Sequence, residues 1–184
     1  VLKKKVILLI VSMFLFSGCG DTKSITQSTE ITGKIKKVEG IILKTIKDEK
    51  IEIEIIQDFL ISEQLKDKIV LINFWAPWCA PCKKEIPALV NIMKKYKKDF
   101  IVVGVLFDEK TSNDKIKDFV KRNNINFPIT ISRKENMKLA KKINNIQMIP
   151  ESFLYSKEGF LIKKYIGEIE GKILERDIKK LKGI

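Results

Sequence analysis

Ile69-Val70-Leu71-Ile72-Asn73-Phe74-Trp75-Ala76-Pro77-Trp78-Cys79-Ala80-Pro81-Cys82-Lys83-Lys84-Glu85 joins two patterns at a pair of cysteines. From Lys68 to Trp75 the residues are apolar almost throughout and rich in β-branched side chains, which predicts a strand buried on both faces at the centre of a sheet. After the turn from Trp75 to Pro81, the segment from Cys82 to Lys97 places Ile86, Leu89, Val90, Met93 and Tyr96 at the i, i+3, i+4, i+7 spacing of an amphipathic helix. Pro87 lies inside that helix and cannot donate a backbone hydrogen bond, so a kink is expected there.

Working outward, two alternating apolar runs, 40–46 and 50–56, flank Lys47-Asp48-Glu49 and predict an N-terminal hairpin. A second buried strand is expected over 100–107, then a helix near 113–122, a short strand around 127–131 and a helix around 135–142. Residues 152–156 and 160–166 flank Lys157-Glu158-Gly159 as a second hairpin, and 170–181 close the chain as a helix. A right-handed crossover makes the strands at 69–75 and 100–107 parallel neighbours. One domain of α/β class follows: a central mixed sheet flanked by helices, with an extra N-terminal β-hairpin.

The cysteine pair carries the chemistry. Unpaired N–H groups in the first turn of a helix favour a thiolate at Cys79, and Lys83 and Lys84 add positive charge nearby. Pro81 suits a first helical turn and stiffens the spacing that lets Cys82 reach the Cys79 sulfur. Cys79, at the exposed tip, is expected to attack a disulfide, and Cys82, one turn into the helix, to resolve the mixed disulfide. Trp75 and Trp78 flank the pair; core packing suits Trp75 better, and Trp78 is the candidate contact to a partner. The competing readings of the pair are half a zinc site or an inert structural disulfide. The chain has no histidine and one further cysteine, too few ligands for a structural zinc site. Absence of histidine also removes every mechanism with an imidazole base. No metal and no cofactor beyond a redox-active Cys79–Cys82 disulfide is expected.

The segment from Ile69 to Leu89, IVLINFWAPWCAPCKKEIPAL, resembles the thioredoxin superfamily, and within it the TlpA/ResA group of membrane-attached bacterial thiol–disulfide reductases. The resemblance spans residues 38–182 and implies a thioredoxin-like fold. It further implies that Ile149-Pro150 is the family's cis-proline site, where the preceding backbone pairs with a bound client peptide, and that Pro87 is the kink proline of the active-site helix. Asn73 stands where thioredoxin itself has a proton-moving aspartate. In the TlpA/ResA group an acidic residue after the next strand is assigned that role, which points here to Glu109 or to Asp108; an ordinary solvated loop acid is the alternative. The implied activity is reduction of disulfides in exported proteins, with apocytochrome c as a client and a membrane thiol donor as the source of electrons. Oxidase or isomerase activity on the same fold is the nearest rival, and Ala80-Pro81, without the histidine of strong oxidants, tilts toward reduction. A Cu(I)-binding chaperone without redox turnover is a further rival, since paired thiolates can hold Cu(I); the superfamily's copper-delivery proteins use a wider cysteine spacing with a histidine, and this chain has neither.

Residues 1–18 read as a signal peptide: three lysines, an apolar run of eleven residues from Val6 to Phe16, then small side chains. A membrane-spanning helix needs about 20 apolar residues, so export with cleavage is the better reading. Phe16-Ser17-Gly18-Cys19 resembles a bacterial lipobox, which makes Cys19 a lipidation site and accounts for the odd cysteine. Residues 19–36 are expected to be a flexible tether and 37–184 the thioredoxin-like domain. The net charge is +13; removal of residues 1–18 leaves 33 basic against 23 acidic side chains, or +10. The lysines are scattered as pairs rather than gathered in a stripe, so no nucleic-acid partner is expected. A monomer on the extracytoplasmic side of a bacterial membrane, held by an N-terminal lipid, is the expected form.

Overall fold

The computed structural model describes residues 40–184, which lie in one compact unit. The expected signal peptide, the expected tether and Cys19 fall outside the described residues. Strands β1 (Ile41–Lys44), β2 (Lys50–Ile56) and β3 (Phe59–Ile61) form a small antiparallel sheet. Then follow β4 (Ile69–Trp75), helix α1 (Ala80–Tyr96), β5 (Phe100–Leu106), α2 (Asn113–Arg122), β6 (Ile129–Thr130), α3 (Arg133–Asn144), β7 (Glu151–Tyr155), β8 (Leu161–Ile166) and α4 (Gly171–Lys182). The main sheet has the order β6-β5-β4-β7-β8, with β4 parallel to β5 and antiparallel to β7. This is the thioredoxin-like mixed sheet with helices on its faces, and β4 is its centre.

Every residue of β4 is buried because both its faces are covered. Ile69, Leu71 and Trp75 point into a core shared with Ile86 and Leu89 of α1, Ile116 and Phe119 of α2, and Leu174 and Ile178 of α4. Val70, Ile72 and Phe74 point the other way, onto Leu43, Ile53 and Leu60 of the small sheet and Leu139 of α3. Each such buried side chain contributes about 1.5–3 kcal/mol of hydrophobic stabilisation. The alternation puts Asn73 on the α1 side of the sheet, and it is this parity that builds the site.

The N-terminal hairpin is extended by β3, which the sequence reading did not contain. Two residues, Gln57 and Asp58, turn the chain from β2 into β3, with Gln57 in the left-handed region at φ 55°. Leu60 N–H then donates to the Gly159 carbonyl at 2.8 Å, tying β3 to the β7–β8 turn. Gly159 has φ 96°, and a Cβ there would strike the Leu60 carbonyl, so glycine is required at that turn.

Candidate active site

Cys79 and Cys82 are joined by a disulfide, with their Cα atoms 5.3 Å apart. Cys79 is the N-cap of α1 and its Sγ accepts a hydrogen bond from the Cys82 N–H at 3.2 Å. The sulfur therefore takes the place of the usual capping oxygen, and negative charge developing on it meets the unpaired N–H groups of the helix. Pro81 occupies the first turn without breaking a hydrogen bond, and Lys83 and Lys84 are exposed beside it. Cys79 is more enclosed than the expected exposed tip, at 5% exposure, while Cys82 has none. Only Cys79 is within reach of an incoming disulfide.

What covers Cys79 is a loop 70 residues away in sequence. Ile149-Pro150 is a cis peptide bond, and the Ile149 carbonyl oxygen lies 3.8 Å from Cys79 Sγ. In the disulfide the sulfur has no proton to donate; the reduced thiol would point one at this carbonyl. Trp78 is 63% exposed on the rim, whereas Trp75 is buried against Phe119 at 5.3 Å between ring centres. The two tryptophans thus divide as the sequence pattern indicated, one in the core and one facing solvent.

Behind the pair, Glu85 is almost fully buried, one helical turn beyond Cys82 and on the same face of α1. Asn73 Nδ2 donates to Glu85 Oε1 at 2.7 Å and to Ser152 Oγ at 2.9 Å, and the Ile169 N–H donates to Glu85 Oε2 at 2.9 Å. Burial pushes the Glu85 carboxyl up to about 7; repulsion from Glu168 adds to this, and the hydrogen bonds from Ile169 and Asn73 only partly oppose it. A carboxyl that changes protonation near neutrality beside a buried thiol is suited to exchange protons with it.

Glu109 does not join this group. It is exposed on the loop after β5 and makes no side-chain hydrogen bond among the described residues. Its neighbour Asp108 turns inward, but its Oδ1 is engaged by the N–H groups of Lys110 at 2.9 Å and Thr111 at 3.4 Å. Burial pushes Asp108 up, yet the hydrogen bonds from Thr111 and Lys110 outweigh it and hold the carboxyl below its ordinary value. Asp108 Oδ1 thus shapes the turn, while its Oδ2 is buried without a partner among the described residues and the Trp78 side chain helps to lower its pKa; Glu85 is the buried acid one helical turn beyond Cys82. The signal for it was present: positions 82, 85, 86 and 89 share one helix face, and a glutamate on that apolar face is a buried glutamate. Among the described residues, no group of three or more His, Cys, Asp or Glu side chains is placed to hold a metal ion. None of their helices is long and apolar enough to cross a membrane.

Comparison with known proteins agrees with this geometry. The AhpC/TSA family matches residues 43–164. Thiol-disulfide oxidoreductase ResA of Bacillus cereus is 30% identical over 148 residues, covering 79% of this chain and 77% of the relative. Sporulation thiol-disulfide oxidoreductase A of Bacillus subtilis is 31% identical over 117 residues, covering 62% of this chain and 69% of the relative. The crystal structure of StoA from Bacillus subtilis superposes with a TM-score of 0.58 at 29% identity, covering 74% of this chain and 94% of that one.

Proposed function

The chain belongs to the AhpC/TSA family, and on that premise we propose that it reduces disulfides of exported proteins by dithiol–disulfide exchange at Cys79 and Cys82. It is a thiol–disulfide oxidoreductase, like its named relatives. The observation that carries the finer reading is the Cys79–Cys82 disulfide at the N-terminus of α1, with the Ile149 carbonyl 3.8 Å from Cys79 Sγ.

The Cys79 thiolate attacks one sulfur of a client disulfide; that S–S bond breaks, a Cys79–client bond forms, and the departing client thiolate takes up a proton. Cys82 then loses its proton to Glu85 and attacks Cys79, closing the Cys79–Cys82 bond and releasing the second client thiol. Two electrons have passed from the enzyme dithiol to the client. A membrane thiol donor restores the dithiol by the same exchange in reverse. Client backbone docks at Ile149 and Pro150, and Trp78 supplies an apolar contact on the rim. Neither a metal nor an organic cofactor enters these steps.

The N-terminal sequence supports the place: export by a signal peptide over 1–18, then lipid on Cys19, would hold a monomeric domain on the extracytoplasmic side of the membrane. Apocytochrome c is the client class that the TlpA/ResA resemblance favours.

The test is to replace Cys82 with alanine and identify the proteins held on Cys79 as mixed disulfides, alongside insulin reduction by the wild-type protein. Exported proteins with paired cysteines are expected in the trap. A wild-type protein that gives no insulin turnover sinks the reductase reading, and a trap without cytochrome precursors sinks the cytochrome assignment alone.

A further inference from the structure

The last residue of α3, Asn144, and the first residue of β7, Glu151, bracket the six residues that present the Ile149 carbonyl to Cys79. Within that loop the backbone groups of Gln147, Met148 and Ile149 form no backbone hydrogen bond with any described residue. The loop is therefore held at its two ends. At the first end, Asn145 adopts the left-handed conformation that closes α3, and the Ile146 N–H donates to the Ala140 carbonyl at 3.2 Å. At the second, the Pro150 carbonyl accepts from the Gly167 N–H at 2.9 Å, and Glu151 pairs in the sheet with both Phe74 and Ile166.

The Glu151 side chain joins these ends. It is 4% exposed, and its Oε1 receives the Lys164 ammonium from β8 and the Asn144 side-chain amide at 3.5 Å. The carboxylate thus spans from the end of α3 to the edge strand, across the base of the loop. Its strand parity is that of Phe153 and Tyr155, so it lies on the face of the sheet opposite Ser152, Asn73 and Glu85 and has no access to the cysteines. Burying a paired charge is commonly no more stabilising than packing a hydrocarbon of the same size. Here the Glu151 carboxylate is buried and the Lys164 side chain is 32% exposed, and what such a pair can supply is a fixed arrangement of the segments that it connects.

We propose that Glu151 is a positioning residue: its carboxylate, clasped by Lys164 and Asn144, holds the base of the 145–150 loop closed so that the Ile149 backbone is aligned for a client chain beside Cys79. This rests on the reading that clients dock at Ile149 and Pro150. Clients that are polypeptides need that alignment. A small aromatic disulfide, which carries no backbone to pair with the loop, does not.

The experiment compares insulin with Ellman's reagent as the oxidised substrate, for wild type, Glu151→Leu, Lys164→Met and Asn144→Ala. Asn144 is exposed, so its variant keeps the test open if a change at buried Glu151 prevents folding. The KM for insulin is expected to rise about threefold to tenfold in each variant, as alignment by one contact is lost, with kcat for the small disulfide and the melting temperature of Asn144→Ala unchanged. The proposal is overturned if insulin KM is unchanged in the folded variants. It is equally overturned if the two substrates lose rate by the same factor, since that marks general structural damage. Wild-type turnover of insulin is measured first, so failure of the reductase reading is seen separately.

Discussion

Asn73 donates its side-chain amide to Glu85 across 2.7 Å, linking the central strand to the helix that begins at the cysteines. Its second amide hydrogen goes to Ser152 in the strand that follows the cis-proline. Asn73 therefore joins the strand before the cysteines, the helix after them and the strand that follows the cis Ile149–Pro150 bond. An amide cannot itself exchange a proton at neutral pH, but it can hold a carboxyl in place that does. The carboxyl that Asn73 holds is on the helix, and whether it handles protons is what the next variant tests.

Replacing Glu85 with glutamine tests that division of labour. Its folded-state pKa, about 7, lies above the ordinary 4.5, so between those values the folded protein binds more protons than the unfolded chain. The stability that this provides is complete below the unfolded value and is lost as pH rises through about 7. The shift corresponds to about 3 kcal/mol, a component that E85Q should lack in urea titrations run from pH 4 to pH 8. In E85Q the release of the trapped client should slow by about 100-fold at pH 7, with first attack by Cys79 little changed. An unaltered stability–pH profile would remove Glu85 from the role.

The two acids after β5 make a paired control. Glu109→Gln is expected to leave stability and the pH–rate profile as in wild type, because the side chain is exposed and makes no hydrogen bond among the described residues. Asp108→Ala strips the Lys110 and Thr111 N–H groups of their acceptor and should cost about 1–3 kcal/mol. Asp108 lies below its ordinary pKa, so its contribution holds above the unfolded value and fades as pH falls through the folded one. Thermal melts at pH 7 and pH 3 separate the two: the difference between D108A and wild type should narrow at pH 3. A rate loss in E109Q would return the proton role to that residue.

Much of this fold can be read directly from the chain because its strongest patterns are local. An all-apolar β4 announces a strand covered on both faces, and α2 spans Asn113–Arg122 as its spacing predicts, with Ser112 accepting from Lys115 as its N-cap. β3 escaped notice because three residues after a two-residue turn carry no period of their own. The Cys79–Cys82 disulfide was legible from residue type and spacing, and the cis bond before Pro150 from the family resemblance. Glu85 was masked by company: after Lys83 and Lys84 it reads as the end of a charged run, and only its helix position reveals it as buried. The enclosure of Cys79 depends on Ile149, 70 residues away, and no local pattern reports such a contact.

Gly104 offers the last prediction, since it governs how Trp75 sits behind the cysteines. It lies in β5 opposite Asn73 on one side and Ile129 on the other. A Cβ at this position would come within 2.5 Å of Ile129 Cδ1 and 3.1 Å of Trp75 Nε1. Both neighbours are buried and Trp75 is already packed against Phe119, so neither can retreat into open space. Gly104→Ala should therefore destabilise by about 1–3 kcal/mol through overpacking, despite the better strand propensity of alanine. For a domain of this size that lowers the melting temperature by about 2–12 °C. Because Trp75 ends β4 and leads directly into the turn to Cys79, the strain should also reach the active site. The expected sign is a shifted tryptophan emission that survives in a Gly104→Ala, Trp78→Phe double variant, where Trp75 alone reports. An unchanged melting temperature with unchanged Trp75 emission would mean that β5 yields instead, and that the glycine is not what shapes the floor beneath the cysteines.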